Sequence, residues 1–499
     1  MKYAVNIPNL NLDFTVPPSK SVVHRQLIIS FLLQTLASEP DTAAIREIIE
    51  PLPTDNDDIR ATRGCLKALY KASVKAKSEA YTAKNQTDII MPCNESGSTL
   101  RFMMSVGAAF LSYKGLSGNK RLVFQPKGKL IDRPLDQLIE CLDSHGVSVV
   151  IDKQAGTITE SGKLTEGVFE IQGNISSQYI SGLLMALVLL PNSSVKLLGA
   201  LESKGYFELT VSTLESFGIK IDEKNDLYTI NNMIARSKNK KFAEGDWSSA
   251  AFLLCLGALA KKSRIVLNGL NKNSIQKDKV IVEILSKLGI KTEWNGNSVL
   301  LDMMSSENMA ESIAAVAVQV DELELDASDY PDIVPYIAVV AAARTKLTKI
   351  KNVERLRFKE CDRVEATIKA LAAVGVNAAE HDGTLVIHGG RFCKSDIATV
   401  RDASAHSSPC MCDAACKQSA AVERDSASMR GAAATTPTDS DISIETFGDH
   451  RMAMTACLIA AWTGKTVYID NKDCVNKSFP GLFELIEKST KPTDAETKE

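Results

Sequence analysis

The sequence predicts an α/β protein built from six copies of one unit of about seventy residues, spread over two or more domains. Three observations lead there. At 499 residues the chain is too long for one ordinary hydrophobic core. A helix-period run that ends in glycine and leads into a short alternating strand recurs along it. A second, almost wholly apolar helix recurs in step with the first, opened each time by small polar residues.

The first signature is clearest at four places. Leu135–Leu142 leads to Gly146 and Val147–Val149, and Thr213–Phe217 to Gly218 and Ile219–Ile221. Ile281–Leu288 leads to Gly289 and Ile290–Thr292, and Ile368–Val374 to Gly375 and Val376–Ala378. Glycine there suits a left-handed helix cap, and the β-branched residues after it suit a strand. These glycines stand roughly 70 to 85 positions apart, the mark of an internal repeat. Fainter copies at Ile59–Leu69 and Phe479–Ile486 complete the six.

The second signature opens at Pro18–Ser21, Glu95–Thr99, Asn174–Gln178, Gly245–Ser249, Asp329–Asp332 and Gly448–Arg451. These are N-cap signatures. The stretches that follow, such as Tyr179–Leu190 and Ala250–Ala260, predict helices buried on every side. One such cap needs no function, because Ser and Asp cap helices everywhere. Six in register offer six helix N-termini, each with free N–H groups and partial positive charge, to an anion.

Two stretches do not fit the unit. Gln34–Thr87 is longer and more polar than a unit needs, with Pro51, Pro53 and the acidic run Asp55–Asp58. Asp402–Asp441 is rich in Ala, Ser, Thr and Asp and predicts a disordered insertion. His406, Cys410, Cys412 and Cys416 within it are a poor match to zinc spacing, so no metal is expected.

Hydrophobic content of 44% and charged content of 24% describe a soluble globular protein, and the net charge of −3 gives no general attraction to nucleic acid or anionic membrane. No apolar stretch is long enough to span a bilayer, and Met1–Asn6 has no signal-peptide core. Eleven cysteines, most in apolar surroundings, fit free thiols in a reducing cytoplasm. The expectation is a cytoplasmic protein with neither nucleic acid nor membrane as partner.

Positive charge is nevertheless concentrated at helix starts. Lys20 and Arg25 fall in the first turns of one helix, Arg133 and Arg451 open others, and Lys477 precedes the last. Cations there oppose the helix dipole, which points to an arriving phosphate or carboxylate. The densest stretch is Leu356–Arg363. Read as the first turn of a helix, it sets Lys359 and Arg363 four apart on one face, with Glu360 and Asp362 beside them. Alone it reads as a solvated helix end. With the other cations it reads as one wall of a basic cleft.

The motifs Lys20-Ser21-x-x-x-Arg25, Ser96-Gly97-Ser98-Thr99-x-Arg101, Arg133-Pro134-Leu135, Ser176-Ser177-Gln178-Tyr179, Tyr330-Pro331-Asp332, Lys359-Glu360-Cys361-Asp362-Arg363, Asp449-His450-Arg451-Met452-Ala453-Met454 and Lys477-x-Phe479-Pro480 follow one another along the chain. In that order they resemble the 5-enolpyruvylshikimate-3-phosphate (EPSP) synthase family of enolpyruvyl transferases. The resemblance covers nearly everything but the two misfit stretches. It implies two similar inside-out domains, each of three βαβαββ-type units with buried helices and outer sheets, and an active site in the cleft between them. Residues 1–18 with 245–499 would form a discontinuous domain and 19–244 a continuous one, with crossings near Pro17–Ser19 and Ala243–Asp246.

The implied reaction joins shikimate 3-phosphate to phosphoenolpyruvate through a tetrahedral intermediate and releases phosphate. By resemblance Lys20, Ser21, Arg25, Ser176, Ser177, Gln178, Ser203, Tyr206, Asp332 and Lys359 would hold shikimate 3-phosphate. Lys20, Gly97, Arg133, Gln178, Arg363, Arg451 and Lys477 would hold phosphoenolpyruvate. Asp332 would take the 5-hydroxyl proton and Glu360 would protonate the methylene carbon, with Lys359 and Lys20 assisting. No cofactor is implied, the partners are the two small-molecule substrates, and a monomer is expected. Ser96 stands where many members have Ala, beside the pocket that the herbicide glyphosate shares with phosphoenolpyruvate, and Arg355 where some have Asn. The related transferase acting on UDP-N-acetylglucosamine is disfavoured by Ser176-Ser177-Gln178 and by the lack of its reactive-cysteine loop before Arg133. A non-catalytic anion-binding protein is disfavoured because Lys20, Asp332 and Glu360 are all present.

Overall fold

The structure is a computed structural model that describes residues 2–78, 87–201, 204–233, 244–304, 320–389 and 442–490. Its recurring unit is the one the glycines announce. Gly146, Gly218, Gly289 and Gly375 have φ of 86°, 81°, 76° and 76°, the left-handed region that ends a helix and that a Cβ would strain.

Three of the units run strand, buried helix, parallel strand, outer helix, antiparallel hairpin. In one, Thr87–Asn94 and Lys120–Pro126 pair in parallel across the helix Gly97–Tyr113, and Val147–Asp152 and Thr157–Gly162 close the sheet. Val168–Gln172 and Ser194–Leu198 repeat this around Ser177–Ala186, with Ile219–Lys224 and Leu227–Met233 as the hairpin. Val320–Asp326 and Thr345–Lys351 repeat it around Val334–Arg344, closed by Asn377–His381 and Thr384–His388.

Two further sheets borrow their missing strand from the N-terminus. Asn9–Thr15 pairs in parallel with Lys262–Asn268, on either side of the helix Trp247–Leu259. Ile442–Ile444 and Val467–Ile469 pair in parallel around the helix His450–Thr463, and Tyr3–Val5 adds antiparallel to them.

The sheets face solvent on one side: along Asn9–Thr15, Leu10 and Leu12 turn inward between exposed neighbours. The helices they cover are sealed, and every residue of Trp247–Leu259 is buried. Two separate hydrophobic cores result. One joins Val5–Val16 to residues from Trp247 to Ile486, and the other runs from Val23 to Tyr228. The chain passes between them twice, side by side: Ser19 N donates to Glu244 O and Asp246 N to Pro17 O, each at 2.9 Å.

The structure bears out the helix read at Ile59–Leu69 and corrects three expectations, for the strand after Gly289, for Lys359 with Glu360, and for Arg133. The misfit stretch after Gln34 is mostly helical. Its helices Thr42–Ile49 and Asp57–Ser78 stand where other units have a sheet, and Ile45, Ile48, Ile59, Leu66 and Leu69 bury an apolar stripe that the flanking charges hide from a composition count. The strand after Gly289 begins only at Glu293, because Ile290 N still bonds back to Leu285 O at 2.9 Å and its side chain is buried. Lys359 and Glu360 precede the helix Arg363–Ala372, which Asp362 caps through a 3.0 Å bond from Glu365 N. They reach the cleft from a loop, not from helix spacing. Arg133 likewise ends a short turn, Gly128–Asp132, before the helix Asp136–Asp143. The expected insertion 402–441, Ser203 and Ala243 lie outside the described residues.

Candidate active site

All six buried helices aim their N-termini at one place. Lys20 and Ser21, Gly97 and Ser98, Ser176 to Gln178, Pro331 and Asp332, and His450 and Arg451 line a cleft of about 1540 Å³ between the two cores. Ser248 and Ser249, from the sixth helix, line a cavity that continues it past Lys20, Tyr206 and Asp332. Four of these helices carry side-chain caps, such as Ser96 Oγ accepting from Thr99 N at 3.2 Å and Asp449 accepting from Arg451 N at 2.8 Å. The remaining N–H groups and the dipole give the cleft a positive field that the net charge of −3 conceals.

The two walls differ. On the first, the arginines have neutral partners. Arg25 is 2% exposed; its Nε donates to Thr210 Oγ1 at 2.7 Å and its Nη atoms to the Ser21 and Tyr206 carbonyls and Ser181 Oγ. Burial lowers its pKa to about 10. Arg101 donates to Gln178 Oε1 at 3.2 Å and to the Pro134 carbonyl, and burial with the nearby Arg133 lowers it to about 10 as well. Gln178 in turn donates to Ser98 Oγ at 3.0 Å. Arg133 Nε is buried with no acceptor among the described residues. Arg25 and Arg101, buried and without an ion-pair partner among the described residues, are poised for an anion.

The second wall holds the carboxylates. Arg363, 1% exposed, donates from Nε to Asp449 at 2.7 Å, from Nη1 to Asp332 at 2.9 Å and from Nη2 to Glu360 at 2.7 Å. Lys477 lies 2.9 Å from Glu360 and Lys359 3.3 Å from Asp332. Burial would raise both carboxyls, but the cations outweigh it. Lys359, Arg363 and Arg451 hold Asp332 well below the usual range, and Lys477, Arg363, Arg133 and His450 do the same for Glu360. Tyr206 bridges the walls, donating its hydroxyl to Asp332 at 3.0 Å. Arg451 donates to the Tyr336 hydroxyl at 3.0 Å.

Every described candidate thus reaches the cleft or, for Lys477, the opening it shares with Arg133 and Glu360. Sequence reasoning left out Arg101, Asp449 and Asp58. Arg101 and Asp449 sat inside the quoted motifs, where the spacing of Arg101 four after Gly97 was the available signal. Asp58 pairs with Lys20 at 2.8 Å. Its acidic run was visible, but nothing in the order of residues ties it to a lysine 38 positions away.

The sequence model of the EPSP synthase (3-phosphoshikimate 1-carboxyvinyltransferase) family matches residues 6–408 and 419–486. The chain belongs to that family. It is 31% identical over 484 residues to the 3-phosphoshikimate 1-carboxyvinyltransferase of Clostridium botulinum, across 95% of this chain and 93% of the relative. To that of Clostridioides difficile it is 29% identical over 486 residues, across 95% and 94%. The fold is like that of EPSP synthase from Acinetobacter baumannii, with a TM-score of 0.58 at 16% identity over 98% of each chain. It is also like that of the enolpyruvyl transferase NikO from Streptomyces tendae, with a TM-score of 0.54 at 13% identity over 98% and 97%. As an EPSP synthase the protein moves the enolpyruvyl group of phosphoenolpyruvate to the 5-hydroxyl of shikimate 3-phosphate and releases phosphate.

Proposed function

We propose how the cleft divides that reaction among its residues. Shikimate 3-phosphate lies against the first wall, its phosphate taken by Arg25, Ser21, Ser176 and Ser177, with Gln178 and Tyr206 along the ring. Phosphoenolpyruvate lies between the walls, held by Arg133, Arg451, Lys477 and Arg363 beside the bare backbone of Gly97. Lys20 stands between the two. Asp332, with Lys359 beside it, takes the 5-hydroxyl proton as the oxygen attacks the enol carbon. Glu360 delivers a proton to the methylene carbon, giving the tetrahedral intermediate. It then removes a proton from the new methyl as the carbon–oxygen bond to phosphate breaks.

The observation that carries this reading is the Arg363 guanidinium, which ties Asp332 at 2.9 Å and Glu360 at 2.7 Å to one buried cation. Two protons must move, one at the attacking oxygen and one at the methylene carbon, and one buried guanidinium holds a carboxylate for each. Both are ionised, which suits Asp332 as a base. Glu360 must first gain a proton. Phosphoenolpyruvate supplies the means: its anionic groups compete for Lys477 and Arg363, and a carboxyl relieved of those cations climbs in pKa.

Two halves, 1–18 with 245–499 and 19–244, would close on the substrates about the paired crossings at Pro18 and Gly245. The reading uses no metal or organic cofactor and takes the protein as a cytoplasmic monomer. Free thiols at the described cysteines support the location. No described helix is long and apolar enough to cross a membrane.

Glu360→Gln tests the central assignment. Both substrates should bind with nearly unchanged Kd, while turnover falls about 100-fold or more and solvent deuterium no longer enters the methylene group of the product. Turnover at the wild-type rate would remove Glu360 from the proton path.

A further inference from the structure

Arg133 and Glu360 belong to two openings at once. One is the main cleft; the other is a separate cavity, which Lys477 also lines. Lys20, Ser21 and Ser176 line the main cleft and none of them lines the second. A ligand on the shikimate side therefore fills the first route and leaves the second open.

The second opening is built for an anion. Its charged lining is Lys127, Lys129, Arg133 and Lys477 against Glu95 and Glu360, four cations to two carboxylates. They are graded by depth: Lys127 and Lys129 are exposed, whereas Lys477 is 7% exposed and Arg133 Nε is buried. Among the described residues neither outer lysine forms an ion pair. Both sit on the tight turn Gly128–Asp132 and its N-cap, pinned by Lys127 N donating to Asn94 O at 2.7 Å and Arg133 N to Leu130 O at 3.3 Å. Phe447 and Gly448, with φ of 53° and 70°, also line it. Two successive left-handed residues, one of them bulky, are a strained arrangement, and a Cβ on Gly448 would meet nothing within 4 Å.

We propose that this second opening is the passage by which inorganic phosphate leaves the site, and by which phosphoenolpyruvate enters it, while the shikimate-derived partner occupies the main cleft. Phosphate is set free beside Arg133 and Lys477 and passes outward to Lys129 and Lys127, never crossing the carbocyclic product. The same lysines draw phosphoenolpyruvate inward. The inference rests on Arg133 and Lys477 holding phosphoenolpyruvate, as proposed above.

Lys127→Glu with Lys129→Glu, in the full chain, tests it. Expected are a fall of about tenfold in kcat/KM for phosphoenolpyruvate, a weakened dependence of that constant on salt, and a raised inhibition constant for added inorganic phosphate. The kcat/KM for shikimate 3-phosphate should stay within about twofold, because charges beyond a Debye length are screened. Equal losses for both substrates, or no loss for either, would overturn the passage. Lys129→Trp is the second variant. By filling the opening it should slow phosphate release and produce a burst of product in the first turnover; release at the wild-type rate would also overturn the passage. Arg133→Ala separates the layers. If it weakens phosphoenolpyruvate while the lysine variants do nothing, the passage alone fails. If phosphoenolpyruvate binds Arg133→Ala as before, the underlying site assignment fails.

Discussion

Arg133 Nη1 stands 2.8 Å from the point that a Cβ on Gly97 would occupy, and Arg101 Nη1 stands 2.7 Å from it. The missing side chain of Gly97 is thus the space in which two guanidinium groups sit. Arg101 is held there by Gln178 and the Pro134 carbonyl, so the displaced group would be Arg133. Gly97→Ala is expected to raise KM for phosphoenolpyruvate about 10- to 100-fold and to leave the Kd for shikimate 3-phosphate nearly unchanged. Steady-state kinetics with each substrate varied in turn checks this. Equal increases for both would show a general collapse of the cleft.

The Asp449–Arg363 pair should be the most costly to break. Asp449 is fully buried, accepts from Arg363 Nε at 2.7 Å and caps the helix His450–Thr463. Asp449→Asn keeps the cap but leaves a buried cation short of charge, at a cost of about 3–5 kcal/mol. Denaturant unfolding should show a lower midpoint with an unchanged slope. A midpoint equal to wild type would mean that Glu360 and Asp332 alone satisfy Arg363.

Asp278 shares the cavity that runs past Lys20, Tyr206 and Asp332. Burial first, and then the Asp332 charge, raise its pKa to about 7, against the pull of Arg451. Below that pH it is neutral; above it, a negative charge appears beside the proposed shikimate 3-phosphate site. KM for shikimate 3-phosphate should therefore climb as pH rises above about 7, and Asp278→Asn should flatten the climb. An identical profile in the variant would refute the idea.

Far from the cleft, Glu160 sits 2% exposed on the strand Thr157–Gly162, with no hydrogen-bond partner for either oxygen among the described residues. Burial raises its pKa well above the usual range, so it is neutral in the fold. Its contribution is greatest below the unfolded value of about 4.3 and declines as pH rises toward the folded value, because only the unfolded chain ionises freely. Glu160→Leu should stabilise the protein at neutral pH by about 1–3 kcal/mol, and less at pH near 4. Thermal unfolding of both proteins across that range checks the sign. A destabilised variant at neutral pH would show that the carboxyl has a partner.

Much of this architecture is legible in order alone, because the unit repeats. A glycine cap followed by an alternating strand recurs at Gly146, Gly218 and Gly375, and each copy corroborates the others. The site is legible for a related reason: cations such as Lys20 and Arg451 oppose the local helix dipole, and that conflict is a signal within a few residues. What stays hidden is whatever depends on distant pairing. In the first unit the helical run Ile59–Leu69 can be read from order alone, but not that two helices, Thr42–Ile49 and Asp57–Ser78, replace its sheet, since the buried stripe of Ile45, Ile59 and Leu66 is interleaved with charge. Lys359 and Arg363 are four apart in sequence, yet what brings them together is Asp332, 27 and 31 positions away.

The strand Tyr3–Val5 pairs with Val467–Ile469, and Asn9–Thr15 with Lys262–Asn268. Both strands are thus made long before the strands they pair with. At about 5–20 residues per second, Tyr3 waits roughly 20–90 s for Ile469 to be made. The half from Val23 to Tyr228 needs nothing made later and can fold during that time. The other half can only assemble once Val467–Ile469 has been made, and until then the inward residues Leu10 and Leu12 of its early strand are exposed to chaperones and to other nascent chains.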